Sequence, residues 1–233
     1  MPHSGSIEPF LAIFDHDGVL VDSLEFHQEA WLELGRRRGL PITAEFVHET
    51  FGMANPSIFQ LLLGNSRRPE EVEEFSALKE ACYRELARSK IVLMTGVRGL
   101  LDGLTAAGVL LAIGSSGVRQ NLELTVETQG LTGRFAAIAS LEDIERGKPD
   151  PQVFLVASKQ AGVSPARSVV FEDAQVGIQA AKAAGMRAVG VTTTHPSTAL
   201  WAAGADEVVD TLAGYDVARL VRVLTRACDG IVA

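Results

Sequence analysis

The sequence has no surplus of basic residues. Its 21 lysines and arginines are outnumbered by 29 aspartates and glutamates, giving a formal net charge of −8 at pH 7. Binding a nucleic-acid backbone calls for a basic face that neutralises phosphates, so a nucleic-acid partner is not expected. Any anion this protein handles must be held locally, by a cation or a few aimed donors. Cysteine is equally scarce. Cys82 and Cys228 are the only two in 233 residues, and so widely separated a pair makes neither a metal spacing nor a disulfide framework. Both read as buried or incidental thiols of a reducing compartment. No apolar run approaches the roughly 18 residues that cross a bilayer, and the opening MPHSGSIEPF has neither the basic start nor the apolar centre of a leader. The expectation is a soluble cytoplasmic protein with no membrane contact and no required protein partner. Internal repeats and low-complexity tracts are missing as well.

What is present is apolar material. The chain is 47% hydrophobic and 21% charged, which excludes disorder and suffices for one domain with an insertion or for two modest domains. Short apolar runs recur that read as buried parallel strands: FLAIF at 10–14, VLLAI at 109–113, AAIA at 136–139, VVF at 169–171 and AVGV at 188–191. Helical patterns lie between most of them, for example over 97–107, 150–161 and 174–184, and a glycine follows each at Gly108, Gly162 and Gly185. Glycine is the usual helix stop. This alternation predicts an α/β fold, a doubly wound parallel sheet with helices on both faces.

From Leu24 to about Lys90 the alternation breaks and only helical periodicity remains. Phe26, Ala30 and Leu34 recur at i, i+4 and i+8, and Phe75, Leu78, Cys82 and Leu86 share one face. An all-helical insertion after the first strand follows, with Asp22 and Glu25 as the capping box of its first helix, Pro56 and Pro69 at helix starts, and loops such as GNSRRP between helices. The expected division is a core of residues 1–23 and 92–233 and a helical domain of residues 24–91.

The chemistry is concentrated where apolar runs end. FLAIFDHDGVLVDS, at 10–23, leaves its strand through Asp15 and Asp17, and strand alternation predicts both on one side. LLAIG runs into Ser115 and Ser116, and VVF into Glu172 and Asp173. Ligands of an open parallel sheet bind outside the carboxyl ends of the strands, so these groups are expected around one crevice, within reach of Lys148 in RGKPDP. Four carboxylates together need a counter-charge, since two unit charges about 4 Å apart repel by roughly 4 kcal/mol at an effective dielectric of about 20. Oxygen ligands without a His or Cys cluster favour Mg²⁺, and Mg²⁺ shared with one or two carboxylates favours a phosphate compound. One carboxylate can attack phosphorus. A second, its pKa raised by like-charged neighbours, can protonate the leaving oxygen, while Lys148 and a serine hydroxyl hold the transferring oxygens.

The order of D-x-D-G-V at 15–19, S-S at 115–116, K-P-x-P at 148–151 and E-D at 172–173 resembles the haloacid dehalogenase superfamily, in particular its phosphatase and β-phosphoglucomutase branch. The resemblance covers the whole chain. It implies a Rossmann-like core with a helical cap where the insertion lies. It also implies that Asp15 is the nucleophile that becomes an aspartyl phosphate and that Asp17 is the general acid and base. Ser115 would bind the phosphoryl group, with Ser116 the alternative, and Lys148 would neutralise charge. Asp173 would hold Mg²⁺ with Asp15, the Asp17 carbonyl and Glu172. His27 resembles a mutase-branch histidine that helps handle protons, though a lone histidine on an amphipathic helix is also an ordinary surface or packing residue. At Asn55, in the loop GMAN, the mutases tend to carry an arginine for a second phosphate. His16 departs from the bulky apolar residue usual between the two aspartates; by alternation it faces away from them and is structural. The run Arg36 to Arg38 reads as a solvated helix end that complements the helix dipole.

The resemblance therefore implies a Mg²⁺-dependent phosphatase of a small phosphorylated metabolite, with a sugar-phosphate mutase as the alternative. Dehalogenation needs no acid at position 17. A non-enzymatic phospho-receiver shares the chemistry, but receivers are shorter, lack the insertion and place the acceptor on a later strand.

Overall fold

A computed structural model describes residues 9–64 and 68–225. The opening segment 1–8, the middle of the GNSRRP loop at 65–67 and Cys228 lie outside the described residues. The sheet comprises β1 (Leu11–Phe14), β2 (Leu110–Gly114), β3 (Ala137–Ala139), β4 (Ser168–Glu172), β5 (Arg187–Val191) and β6 (Glu207–Val209). All pairings are parallel, in the order β3-β2-β1-β4-β5-β6. β1 is central, with Phe14 in register with Ile113 on one side and Phe171 on the other. The strand order reverses around it, which opens the crevice that such sheets use for ligands. Every residue of β1 and β4 is buried, as expected of strands covered on both faces. Phe14 and Phe171 stack across the pair with ring centroids 4.8 Å apart.

The apolar runs mark five of the six strands to within a residue or two. β6 has no such run. It is an edge strand paired only to β5, and Glu207 and Val208 remain half-exposed, so its three residues need no continuous apolar stretch.

Among the described residues, four α-helices stand between β1 and the core helix α5 (Val97–Ala106): α1 (Leu24–Arg38), α2 (Ala44–Glu49), α3 (Asn55–Leu63) and α4 (Pro69–Ala87). They share an apolar cluster of their own, with Trp31, Leu34, Ile58, Phe59 and Phe75 buried in it. The stripe read from the sequence divides between two cores. Leu34, Phe75 and Leu78 join the helical cluster, whereas Phe26, Ala30, Cys82 and Leu86 pack with the cluster on one face of the sheet. Pro56 and Pro69 open α3 and α4. The remaining helices flank the sheet: α6 (Arg119–Thr128), α7 (Gln152–Ala161), α8 (Gln175–Ala183), α9 (Ser197–Ala202) and α10 (Val217–Thr225).

The expected Asp22–Glu25 capping box is absent. Ser23 occupies the N-cap of α1, and its hydroxyl donates to Asp17 at 2.6 Å rather than capping the helix. Arg36, Arg37 and Arg38 are exposed at the other end of α1, paired with Glu29, Glu33 and Glu74.

Candidate active site

The two aspartates after β1 line one crevice but bond to different partners. Sheet pairing stops at Phe14, and one further bond runs from the Asp15 N–H to the Phe171 carbonyl at 3.0 Å. The chain then turns tightly. The His16 carbonyl accepts from Leu20 and Val21, and Gly18 adopts a left-handed φ of 76°. The turn brings both carboxylates to the rim of one crevice, each with its own partners.

Asp15 turns toward Lys148. The Lys148 ammonium donates to Asp15 Oδ1 at 2.7 Å and to Glu172 Oε1 at 3.0 Å. Carboxylate oxygens of Asp15, Glu172 and Asp173 all lie within 4.8 Å of one another, and all three residues are buried. Burial and the neighbouring Asp15 charge push Glu172 up to about 7. Burial, then Glu172 and Asp15, hold Asp173 well above the usual carboxylate range. Burial alone would depress Lys148, but the carboxylates of Asp15 and Glu172 outweigh it and raise the ammonium's pKa.

One ammonium faces three carboxylates here, and buried Asp173 Oδ1 has no hydrogen-bond partner among the described residues. The donor set is hard oxygen throughout. These residues fit a hard divalent cation such as Mg²⁺. Two glycines make room for the acids: a Cβ at Gly18 would stand 2.1 Å from Asp173 Oδ2, and one at Gly177 only 1.5 Å from Glu172 Oε1. Asp173 Oδ2 accepts from the Thr194 hydroxyl at 2.7 Å, and His195 Nδ1 lies 3.1 Å from the Asp173 carbonyl. Neither Thr194 nor His195 stood out in the sequence, because TTTH after β5 reads as an ordinary polar loop.

Ser115 and Ser116 follow β2 on the opposite side of β1. The Ser115 hydroxyl oxygen accepts from the Gly117 N–H at 3.0 Å, while buried Ser116 Oγ has no partner among the described residues. Both serines line the same crevice as Asp15 and Asp17.

Asp17 faces the helical insertion. Its Oδ1 is within bonding distance of His16 Nδ1 at 2.9 Å and His27 Nε2 at 3.0 Å, besides the Ser23 hydroxyl. Burial would raise its pKa, but the two histidines hold it well below the usual value. This corrects the expectation of a raised second acid, since like-charge repulsion acts on Glu172 and Asp173 instead. His16 does not face away either. Its buried ring touches Asp17 through Nδ1 and Thr125 Oγ1 through Nε2, the latter at 2.7 Å.

Behind His27 lies a polar chain that sequence reading missed. Lys79 Nζ sits 2.7 Å from His27 Nδ1 and donates to Glu80 Oε1 at 2.8 Å. Glu80 also accepts from Asn55 at 2.8 Å and from Asn121 of α6 at 2.6 Å. Asn55 thus lines the crevice but spends its amide on Glu80. Burial would raise Glu80, yet Lys79 and His27 bring it down to about 2. Burial and Lys79 lower His27. Lys79 and Glu80 were not singled out in the sequence, but Phe75, Lys79, Tyr83 and Ala87 recur every fourth residue and all are buried. A lysine in register with that stripe was the available signal.

The profile of the haloacid dehalogenase-like hydrolase family matches residues 12–191, and the chain belongs to that family. It is 32% identical over 198 residues to a validoxylamine A 7'-phosphate phosphatase of Streptomyces hygroscopicus subsp. limoneus, covering 82% of this chain and 89% of that one. It is likewise 32% identical over 205 residues to a β-phosphoglucomutase of Bacillus subtilis, covering 84% and 87%. Among solved structures, a hydrolase from Pseudomonas syringae superposes with a TM-score of 0.81 at 27% identity, covering 88% of this chain and 94% of that one. The chain is therefore an enzyme of the hydrolase type, on an α/β fold. None of its described helices is long and apolar enough to cross a membrane.

Proposed function

We propose that this protein is a Mg²⁺-dependent phosphatase that hydrolyses a small phosphorylated metabolite of the cytoplasm through an aspartyl phosphate on Asp15. The helical segment 24–91 is read as a cap that roofs the crevice. The observation that carries this reading is the buried Asp15 carboxylate, held by Lys148 at 2.7 Å in a crevice that it shares with Asp17. The phosphate or mutase chemistry of the relatives named above supports it.

In the first half of the cycle an Asp15 carboxylate oxygen bonds to phosphorus as the bond to the ester oxygen breaks, and the departing oxygen takes a proton from Asp17. In the second half a water oxygen attacks phosphorus, Asp17 takes the proton that water gives up, and the bond to Asp15 breaks. Asp17 enters ionised, as its three donors to Oδ1 dictate. An arriving phosphate dianion adds negative charge beside it and draws a proton onto it from solvent, the proton it then gives to the departing oxygen. Lys148 offsets negative charge at Asp15, and the hydroxyls of Ser115 and Ser116 stand ready to hold phosphoryl oxygens. Asp15, Glu172, Asp173 and the Asp17 carbonyl are the residues that would hold Mg²⁺, which supplies positive charge to the transferring group. The test is phosphate release from p-nitrophenyl phosphate and a panel of phosphorylated metabolites. Asp15→Asn abolishes turnover if the reading is right; full activity in that variant overturns it.

A second reading, a β-phosphoglucomutase-like transfer between two positions of a sugar, is favoured by His27 beside Asp17. Asn55 in place of an arginine disfavours it. Time-resolved NMR on a sugar 1-phosphate separates the two: a 6-phosphate accumulates in the mutase, free phosphate in the phosphatase.

A further inference from the structure

Three donors converge on Asp17 Oδ1, and two of them belong to the start of α1. Ser23 is the N-cap of that helix and His27 lies in its first turns. The third, His16, belongs to the sheet side and is fully buried. Its two ring nitrogens are assigned by their partners. An ionised carboxylate only accepts, so Nδ1, 2.9 Å from Asp17 Oδ1, carries the proton and donates. In the neutral ring Nε2 then accepts from the hydroxyl of Thr125 in α6, at 2.7 Å. Every hydrogen bond described for the Asp17 carboxylate falls on Oδ1. Oδ2 is left on the side of Gly117, where a Cβ would approach it to 3.8 Å.

We propose that His16 is a positioning residue: with Thr125 behind it, it fixes from the core side which oxygen of Asp17 faces the reacting group. Ser23 and His27 supply the same oxygen from the insertion side, so His16 is the anchor that does not depend on how α1 sits. A carboxylate that must give a proton to a departing oxygen needs one oxygen free and aimed, and a fixed Oδ1 leaves Oδ2 in that position. This rests on the phosphatase reading, because Asp17's orientation matters to turnover only if Asp17 moves a proton there.

The experiment compares kcat/KM for p-nitrophenyl phosphate, whose leaving group needs little help, with that for an alkyl phosphate, whose leaving group needs a proton. This parameter reports steps up to the first irreversible one, the transfer to Asp15. His16→Leu, which keeps bulk and removes the donor, is expected to lower the alkyl value about tenfold more than the aryl value. His16→Asn retains an N–H near the Nδ1 position and restores most of that ratio. Thr125→Val, a nearly isosteric change one step further from Asp17, shifts the ratio in the same direction by a smaller factor and covers the case in which His16→Leu does not fold. Equal losses on both esters, with no rescue by His16→Asn, overturn the proposal and leave His16 a packing residue. A wild-type protein inert toward both esters overturns the phosphatase reading itself, and this proposal with it.

Discussion

Lys79 Nζ lies 2.7 Å from His27 Nδ1. An ammonium has only protons to give, so Nδ1 is the acceptor and the ring's proton sits on Nε2, directed at Asp17 Oδ1. A buried lysine of the helical insertion thereby sets the tautomer of a histidine that touches the sheet-side carboxylate.

Removing that lysine should be felt first as lost stability. Lys79→Met leaves the Glu80 carboxylate buried without its cation, a change worth about 3 kcal/mol. Denaturant unfolding measures it, and adding Glu80→Gln to the same protein should recover part of the loss. Equal stability of Lys79→Met and wild type would mean that the pair adds nothing.

Acid should unfold the protein through the same pair. Glu80 is held at about 2 against an ordinary 4.5. A depressed carboxylate stabilises the fold fully above its unfolded pKa and loses that contribution as pH falls through the folded value. The window is therefore from about pH 4.5 down to about pH 2, and the amount is on the order of 3 kcal/mol. Glu80→Gln, followed by circular dichroism across that range, should show a flatter loss of stability than wild type.

The acidic trio should report Mg²⁺ without any substrate. A ligand that binds only the folded chain raises its melting temperature, so added Mg²⁺ is expected to shift the midpoint up by a few degrees. Asp173→Asn, which replaces one of the trio's carboxylates with an amide, should abolish the shift. A shift that survives the substitution would place the cation elsewhere.

Gly18→Ala should disable the site while leaving the sheet intact. Its φ is 76°, and the added carbon would stand 2.1 Å from Asp173 Oδ2. The strained backbone costs about 1 kcal/mol, and the displaced carboxylate should lower turnover by more than about 100-fold. Activity near wild type would show that Asp173 can be moved without harm.

Asp17→Asn should slow alkyl phosphates far more than p-nitrophenyl phosphate, by about 100-fold or more on the former, the usual worth of a positioned acid. Steady-state kinetics on the two esters decides it; equal losses would remove Asp17 from the proton path.

The sheet was legible because buried parallel strands are apolar throughout, and FLAIF, LLAIG and VVF are hard to read as anything else. Asp15, Glu172 and Asp173 were legible because each sits at or near the end of such a run and the topology brings them together, and Lys148 through the K-P-x-P motif. What escaped was side-chain direction. Alternation turned His16 away, but β1 ends at Phe14 and the tight turn beyond it brings the ring onto Asp17. Ser23 was not singled out; it is the N-cap of α1 and spends its hydroxyl on Asp17. Lys79 and Glu80 did not stand out because a charged pair on a helix is ordinarily solvated; here both are buried, with the Lys79 ammonium over the rings of Trp31 and Tyr83.

Asn121 sits on a core helix, yet its amide binds Glu80 of the insertion at 2.6 Å while its carbonyl accepts from Arg84 at 3.1 Å. One polar knot is thus tied between the two halves of the molecule. A genetic screen for inactive protein should return changes at Asn55, Arg84 and Asn121 beside those at the aspartates. Remoteness from phosphorus will be a poor guide to which side chains it finds.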